Sequence, residues 1–304
     1  TYSSYKGLIE NPIGPYFRKK KLTLRELEAR HLQMFYSEML KRVKSNTVIH
    51  YHAIIHSALK YAVKTDMLIQ NVADKIDRPK KNDFQPVFLS ADEMQKMFEA
   101  LCGTRMELPV LVAAFYGFRR GEVLGLKWDA IDFERNTITI KHIVTNAKVD
   151  GKCEIVCADR AKTKSSLRSL PLVSNIREKL LVLKEQQKEN KRICGNCYNK
   201  EFDGYVFVDA MGNIFNPRSV SANFSKLLQR NDLRHIRFHD LRHSCASLLL
   251  ANDVPMKQIQ EWLGHSDIST TANIYSHLDY KSKITSANVM DNILVLPDTK
   301  SQGW

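Results

Sequence analysis

Five short segments of the chain carry residues whose types and spacing suit chemistry on an anion. In Phe238-His-Asp-Leu-Arg-His-Ser244, His239 and Arg242 stand three apart, so on a helix they project from one face. An imidazole beside a guanidinium suits a phosphate. The planar fork grips non-bridging oxygens while the ring donates or shuttles a proton. In Phe115-Tyr-Gly-Phe-Arg-Arg-Gly-Glu122, a glycine turn places Arg119 just ahead of a helix expected to begin near Gly121. Exposed amides at a helix N-terminus favour anions, and an arginine there adds to the effect. Glu122, one turn on, can hold that guanidinium in place. His265 follows a helix that should end at Gly264, a residue suited to the left-handed position past a helix end. Ser269 can cap a short helix that carries Tyr275, and Lys162 and Lys164 sit in Ala161-Lys-Thr-Lys-Ser-Ser-Leu-Arg168, at an expected hairpin tip. Singly, each segment has a plainer reading: a mixed polar surface helix, a helix–turn–helix with surface arginines, a core tyrosine, solvated lysines. Together they array cations and one phenol along a single chain.

The elements that must position these groups are mostly helical. Thr23-Leu-Arg-Glu26 has capping-box spacing and predicts a helix with the stripe Leu24, Leu27, Met34 and Phe35. A second helix is expected from Asn46/Thr47, with the stripe Val48, Tyr51, Ile55, Leu59 and Ala62. Residues 1–78 therefore read as a small helical bundle. Arg78-Pro-Lys-Lys-Asn-Asp-Phe-Gln-Pro86 is basic and proline-bounded, which marks a linker over 79–87. Ser90-Ala-Asp-Glu93 caps the start of a second domain, 88–304, with helices over about 91–102, 106–116 and 120–128. Thr137–Val144 alternates and is β-branched, as a strand should be, and Glu154–Cys157 and Leu167–Leu172 look like two more. A helix with Ser174 as N-cap follows, then an irregular insertion over 190–216 and a mostly helical remainder over 219–296. The expected class is mainly α with a small antiparallel β-sheet, α+β.

The formal net charge is +13, and residues 1–85 hold 16 basic against 8 acidic residues, so more than half the surplus lies in under a third of the chain. That balance favours a polyanionic partner, nucleic acid before membrane. No apolar run approaches the roughly 18 residues of a membrane span, and no signal peptide is visible. Of six cysteines, Cys102 and Cys245 fall in apolar helical patterns and read as core, while Cys153/Cys157 and Cys194/Cys197 form two close pairs. Plain reduced thiols in a cytoplasmic protein are the expectation, with a zinc site the lesser alternative.

The order Arg119, Lys162, His239/Arg242, His265, Tyr275 resembles the tyrosine recombinase family, as found among integrases of phages and conjugative transposons. Tyr116-Gly-Phe-Arg119-Arg-Gly-Glu122 is similar to its first arginine box, and Ala161-Lys162-Thr to its β-hairpin lysine box. His239 to His243 matches its His-x-x-Arg-His box, Leu263-Gly-His265 its Leu-Gly-His box, and Thr271-Ala-Asn-Ile-Tyr275 its nucleophile segment. Tyr116 and Val72 depart from the family's common threonine and Asn-Pro, away from the chemistry. The resemblance implies a helical core-binding domain and a catalytic domain forming a clamp around DNA. Its catalytic residues would be Arg119, Lys162, His239, Arg242, His265 and Tyr275, with Glu122 in support and neither cofactor nor metal. Tyr275 would join the DNA 3′ phosphate. Lys19, Lys20, Lys21, Arg25, Lys80, Lys81 and Lys164 are the expected phosphate contacts. The implied partners are double-stranded recombination sites, further copies of the chain in a tetramer that exchanges C-terminal tails, and an accessory DNA-bending or excision protein. The implied location is the bacterial cytoplasm, at the nucleoid. Because the chain begins at Thr1, an N-terminal arm-binding domain is expected to precede it. A catalytically dead regulator and a type IB topoisomerase are the rivals; a covalent-adduct assay separates the first, relaxation of supercoils by monomer the second.

Overall fold

The computed structural model describes residues 2–82, 87–149, 152–159 and 168–265. The chain divides into two compact units, Thr1–Phe84 with Ala147–Glu154 and Gln85–Asn146 with Ile155–Trp304.

The first unit opens with α1 (Tyr2–Leu8), a π-helical turn (Ile9–Ile13) and α2 (Gly14–Lys19), none of them anticipated. Then come α3 (Ala29–Leu40) and α4 (Ser45–Lys64). The α4 stripe is as expected: Val48, Tyr51, Ile55, Leu59 and Ala62 are buried. The α3 expectation is corrected. Thr23 does bond Glu26, through its amide at 3.0 Å and its hydroxyl at 2.7 Å, but this closes a turn ahead of the helix. Extended backbone at Glu28 delays the start, and the Glu28 amide donates to His31 Nδ1 at 3.1 Å. The buried face is then Leu32, Phe35, Tyr36 and Met39, while Leu24 and Met34 are exposed. Lys80–Asn82 is not loose chain. Ser45 Oγ donates to the Lys80 carbonyl, and the Asn82 amide donates to Asn46 Oδ1 at 3.1 Å.

The second unit begins at α5 (Ala91–Leu101), closed by a reciprocal Ser90/Glu93 cap. Cys102 is exposed, a correction: the helix ends one residue earlier and the chain turns out of the buried stripe. Cys245 is buried as expected. The next helix, α6 (Glu107–Tyr116), is buried on nearly every side, as an all-apolar helix must be. A short α7 (Arg120–Leu124) follows. It stops well before 128 because the Gly125 amide closes on Gly121 and β3 (His142–Val149) crosses there at backbone distance. A Cβ at Gly121 would lie 3.0 Å from the Val144 carbonyl oxygen, and one at Gly125 would strike that of His142.

The expected strand 137–144 is two strands. β2 (Thr137–Thr139) lies between β1 (Ile131–Asp132) and β5 (Ser169–Pro171), antiparallel to both, with Ile138 opposite Ile131 and Leu170. β3 leaves that sheet to pair with β4 (Lys152–Asp159). His142 holds the ladder: one ring nitrogen meets Asp159 and the other the Tyr205 hydroxyl, each at 2.7 Å. Residues 161–167, the expected hairpin tip, lie outside the described residues.

Val173, not Ser174, caps α8 (Ser174–Cys194). The 190–216 stretch is part of the core, contrary to expectation. Tyr198, Tyr205, Val206, Phe207, Val208 and Ile214 are buried, and the Val206 amide bonds the Leu126 carbonyl at 2.9 Å. Three helices close the described chain: α9 (Pro217–Arg230), α10 (Asp240–Ala251) and α11 (Met256–Leu263). Among the described residues no helix is long and apolar enough to cross a membrane, and no three His, Cys, Asp or Glu side chains cluster as a metal site requires.

Candidate active site

Gly117 ends α6 in the left-handed conformation, φ 61°, where a side chain is strained. A Cβ there would also strike Leu263, so α6, α10 and α11 meet at this glycine. Its carbonyl accepts a 2.7 Å hydrogen bond from Arg242 Nη1. Arg242 is only 2% exposed and projects from the first turn of α10. The side chain is thus aimed by backbone geometry.

Arg119 is the N-cap of α7, in extended backbone. Its amide donates to Glu122 Oε2 at 2.9 Å and its Nη1 to Glu122 Oε1 at 2.8 Å. The Glu122 side chain is 1% exposed and also accepts from Arg168 Nη2 at 3.2 Å. Burial works to raise the Glu122 pKa, yet Arg168 and Arg119 outweigh it and hold the carboxyl down at about 2. Glu122 is therefore an anion with a cation on each side.

His239 is the N-cap of α10 and keeps an exposed edge. Its ring meets His243 edge to face at 5.4 Å between centroids. Loss of water and then the charges of Arg242 and Arg119 lower its pKa. His265 comes directly after the left-handed Gly264, φ 67°, where α11 ends. Burial first, then Arg242 and Arg119, push its pKa down to about 3, and His243 falls to about 4 by burial and by His239. All three rings are neutral at pH 7. Arg242 bonds the Gly117 carbonyl two residues before Arg119, His239 caps the helix that carries Arg242, and Arg168 joins Glu122 to the end of α11 just before His265, so Arg119, His239, Arg242 and His265 are drawn toward one locus. Lys162, Lys164 and Tyr275 lie outside the described residues. Lys19, Lys20, Lys21, Arg25, Lys80 and Lys81 are exposed, all in the first unit.

Two members were not singled out from sequence. His243, inside the His-x-x-Arg-His segment, is buried against His239. Arg168 has a side chain 8% exposed and is enclosed by Glu122, the Trp262 carbonyl and the Phe118 ring. Strand alternation carried a signal for it. Leu170 and Leu172 are buried, and Arg168 shares their parity, so it faces the core.

Residues 87–282 match the phage integrase family. A tyrosine recombinase XerC-like protein of Caldanaerobacter subterraneus subsp. tengcongensis is 29% identical, over 97% of this chain and 78% of its own length. The ICEBs1 integrase of Bacillus subtilis is 27% identical over 96% of this chain and 78% of its own. In fold, the chain is similar to the Tn1549 transposon integrase in complex with a circular intermediate DNA. The TM-score is 0.75 at 16% identity, covering 94% of this chain and 98% of that one. It is also similar to the XerH site-specific recombinase bound to palindromic difH substrate, with a TM-score of 0.67 at 20% identity over 94% and 79%.

Proposed function

This chain belongs to the phage integrase family, whose tyrosine recombinases are site-specific DNA recombinases, and on that premise we propose that it cuts and rejoins duplex DNA through a bond between Tyr275 and a DNA 3′ phosphate. The observation that carries the reading is the convergence of Arg119, Arg242, His239 and His265, with each guanidinium fixed by a buried partner.

A phosphodiester resists attack because its oxygens repel nucleophiles, so fixed positive donors are the protein's means of lowering the barrier. Arg119 and Arg242 hold the two non-bridging oxygens as charge builds, and neutral His265 donates through its ring N–H. The Tyr275 phenol, with an ordinary pKa near 10, gives its proton to neutral His239 and attacks phosphorus. The bond from phosphorus to the 5′ oxygen breaks, Lys162 supplies that oxygen's proton, and Tyr275 carries the 3′ phosphate. The covalent link keeps the diester's bond energy, so rejoining to another 5′ hydroxyl needs no ATP.

The exposed Lys19, Lys20, Lys21, Arg25, Lys80 and Lys81 would meet DNA phosphates, giving salt-dependent affinity with little sequence choice. Integration and excision of a mobile element is the role we assign, by a tetramer whose 283–304 tails dock on neighbouring copies, assisted by a DNA-bending protein. The similarity to ICEBs1 and Tn1549 integrases supports the mobile-element role.

The test is a suicide substrate nicked beside the cleavage site, run on a denaturing gel. The wild-type chain should trap a protein–DNA adduct. Tyr275→Phe should trap none and still shift the DNA in a native gel. An adduct formed by Tyr275→Phe would refute the assignment.

A further inference from the structure

We infer that Arg168 is a positioning residue that ties the two sides of the phosphate grip together, setting Arg119 through Glu122 and His265 through the end of α11. This rests on the function proposed above.

The Arg168 guanidinium reaches in two directions. Nη2 donates to Glu122 Oε2 at 3.2 Å, on the same oxygen that receives the Arg119 amide. Nε donates to the Trp262 carbonyl at 3.0 Å, one of the last carbonyls of α11, which the helix itself cannot satisfy. The carbon end of the fork lies 5.3 Å from the centre of the Phe118 ring, on the residue just before Arg119. Past Trp262 the chain turns at Gly264, where a Cβ would lie 2.5 Å from Arg168 Nη1, and His265 is next. The turn that presents His265 is thus packed directly on the guanidinium. Arg119 and His265 sit on separate elements, and Arg168 contacts the supports of both.

Stability alone is a poor reason for a cation here, because buried ion pairs are often no better than well-packed apolar residues. Lysine would keep the charge but has a point ammonium, not a fork that can serve a carboxylate and a carbonyl at once. A second cation on Glu122 also frees Arg119 from neutralising that carboxylate alone, so its charge is available to a phosphate.

The experiment is single-turnover cleavage of the suicide substrate at saturating DNA by wild type, Arg168→Lys and Arg168→Met, with DNA affinity measured alongside. Both variants should cleave on the order of 10²-fold more slowly with DNA affinity unchanged, the cost of slightly misplaced catalytic groups. Combining Arg168→Met with Glu122→Gln should slow cleavage by less than the product of the two single effects, since both act on Arg119. Should Arg168→Met fail to fold, Arg168→Lys carries the test. A folded Arg168→Lys that cleaves at the wild-type rate overturns the inference, as do effects that multiply as for independent sites. If the wild type itself forms no adduct, the proposed function fails and the inference with it; if the wild type and the variants cleave equally, only the inference fails.

Discussion

Glu122→Gln is a substitution whose cost can be worked from two directions. The Glu122 carboxylate is 1% exposed and accepts from Arg119 at 2.8 and 2.9 Å and from Arg168 at 3.2 Å. Gln keeps the shape but removes the charge and turns an NH2 group toward a guanidinium. By linkage, the drop in the carboxyl pKa from 4.5 to about 2 corresponds to about 3 kcal/mol of stability. Independently, removing one partner of a buried ion pair costs roughly 3–5 kcal/mol, because the remaining charge is left buried without its counterion. The two routes agree, so the variant's second unit should be about 3 kcal/mol less stable at pH 7. A depressed carboxylate pKa contributes stability that is fully present above pH 4.5 and is lost as pH falls toward 2. The difference between wild type and variant should therefore close over that window. Trp128 and Trp262 lie in the second unit and the first unit contains no tryptophan, so urea titrations followed by tryptophan fluorescence report on the second. Equal urea midpoints at pH 7, or a difference unchanged between pH 7 and pH 3, would show that the carboxylate is not the balanced ion pair described.

Gly117→Ala should lower both melting temperature and cleavage rate. The left-handed backbone alone costs about 1–2 kcal/mol, and the new methyl strikes Leu263 beside the carbonyl that aims Arg242. A variant that melts and cleaves like wild type would remove the glycine from the argument. Acid should destabilise the second unit well before Glu122 titrates. His243 and His265, with pKa values of about 4 and about 3, stay neutral in the fold. The unfolded chain takes up protons near pH 6.5, so their contribution is complete above that value and lost as pH falls toward 4 and 3. Urea midpoints should decline from pH 6.5 downward, and His265→Gln should flatten the decline; an unchanged slope in that variant would contradict the assignment.

What was legible in the sequence was the family and the periodic helices. The α4 stripe from Val48 to Ala62 and the Ser90/Glu93 cap are local patterns, and local patterns survive folding. The Arg119–Glu122 pair is likewise one turn of helix, so the spacing already specified the contact. The misses share the opposite property. Thr23-Leu-Arg-Glu26 has capping spacing, but the same hydrogen bonds close a turn, and only the buried face of α3 decides between them. The expected strand 137–144 divides because β3 must cross Gly121 and Gly125, contacts about twenty residues apart that no alternation records. The 190–216 stretch looked irregular because its apolar residues follow no period, yet they fill a core made by other elements. Arg168 hides for a related reason: its partners Glu122 and Trp262 lie 46 and 94 residues away.

The cation surplus of the site does two things that a neutral site could not do together. Arg119, Arg168 and Arg242 set three positive charges around one locus, with the Glu122 carboxylate held between Arg119 and Arg168 and the Asp240 carboxylate engaged by Arg237. That imbalance favours negative charge wherever it appears, on a phosphate oxygen or on a phenolate. It also acts on the site's own histidines. Burial and the guanidinium charges depress His239 and His265, so a protonated ring is disfavoured until an anion arrives. Under the proposed function, a His239 already charged could not accept the phenol's proton, and the field that would steady the phenolate would also keep this base free. In the reaction proposed above, once the proton had moved the imidazolium would sit beside the phosphate's negative charge, which offsets the surrounding cations, and the cost of that protonation would fall. On the proposed function, base and electrostatic clamp would therefore be one arrangement, and a substitution that weakens the clamp should also raise the pH at which His239 becomes available as a base.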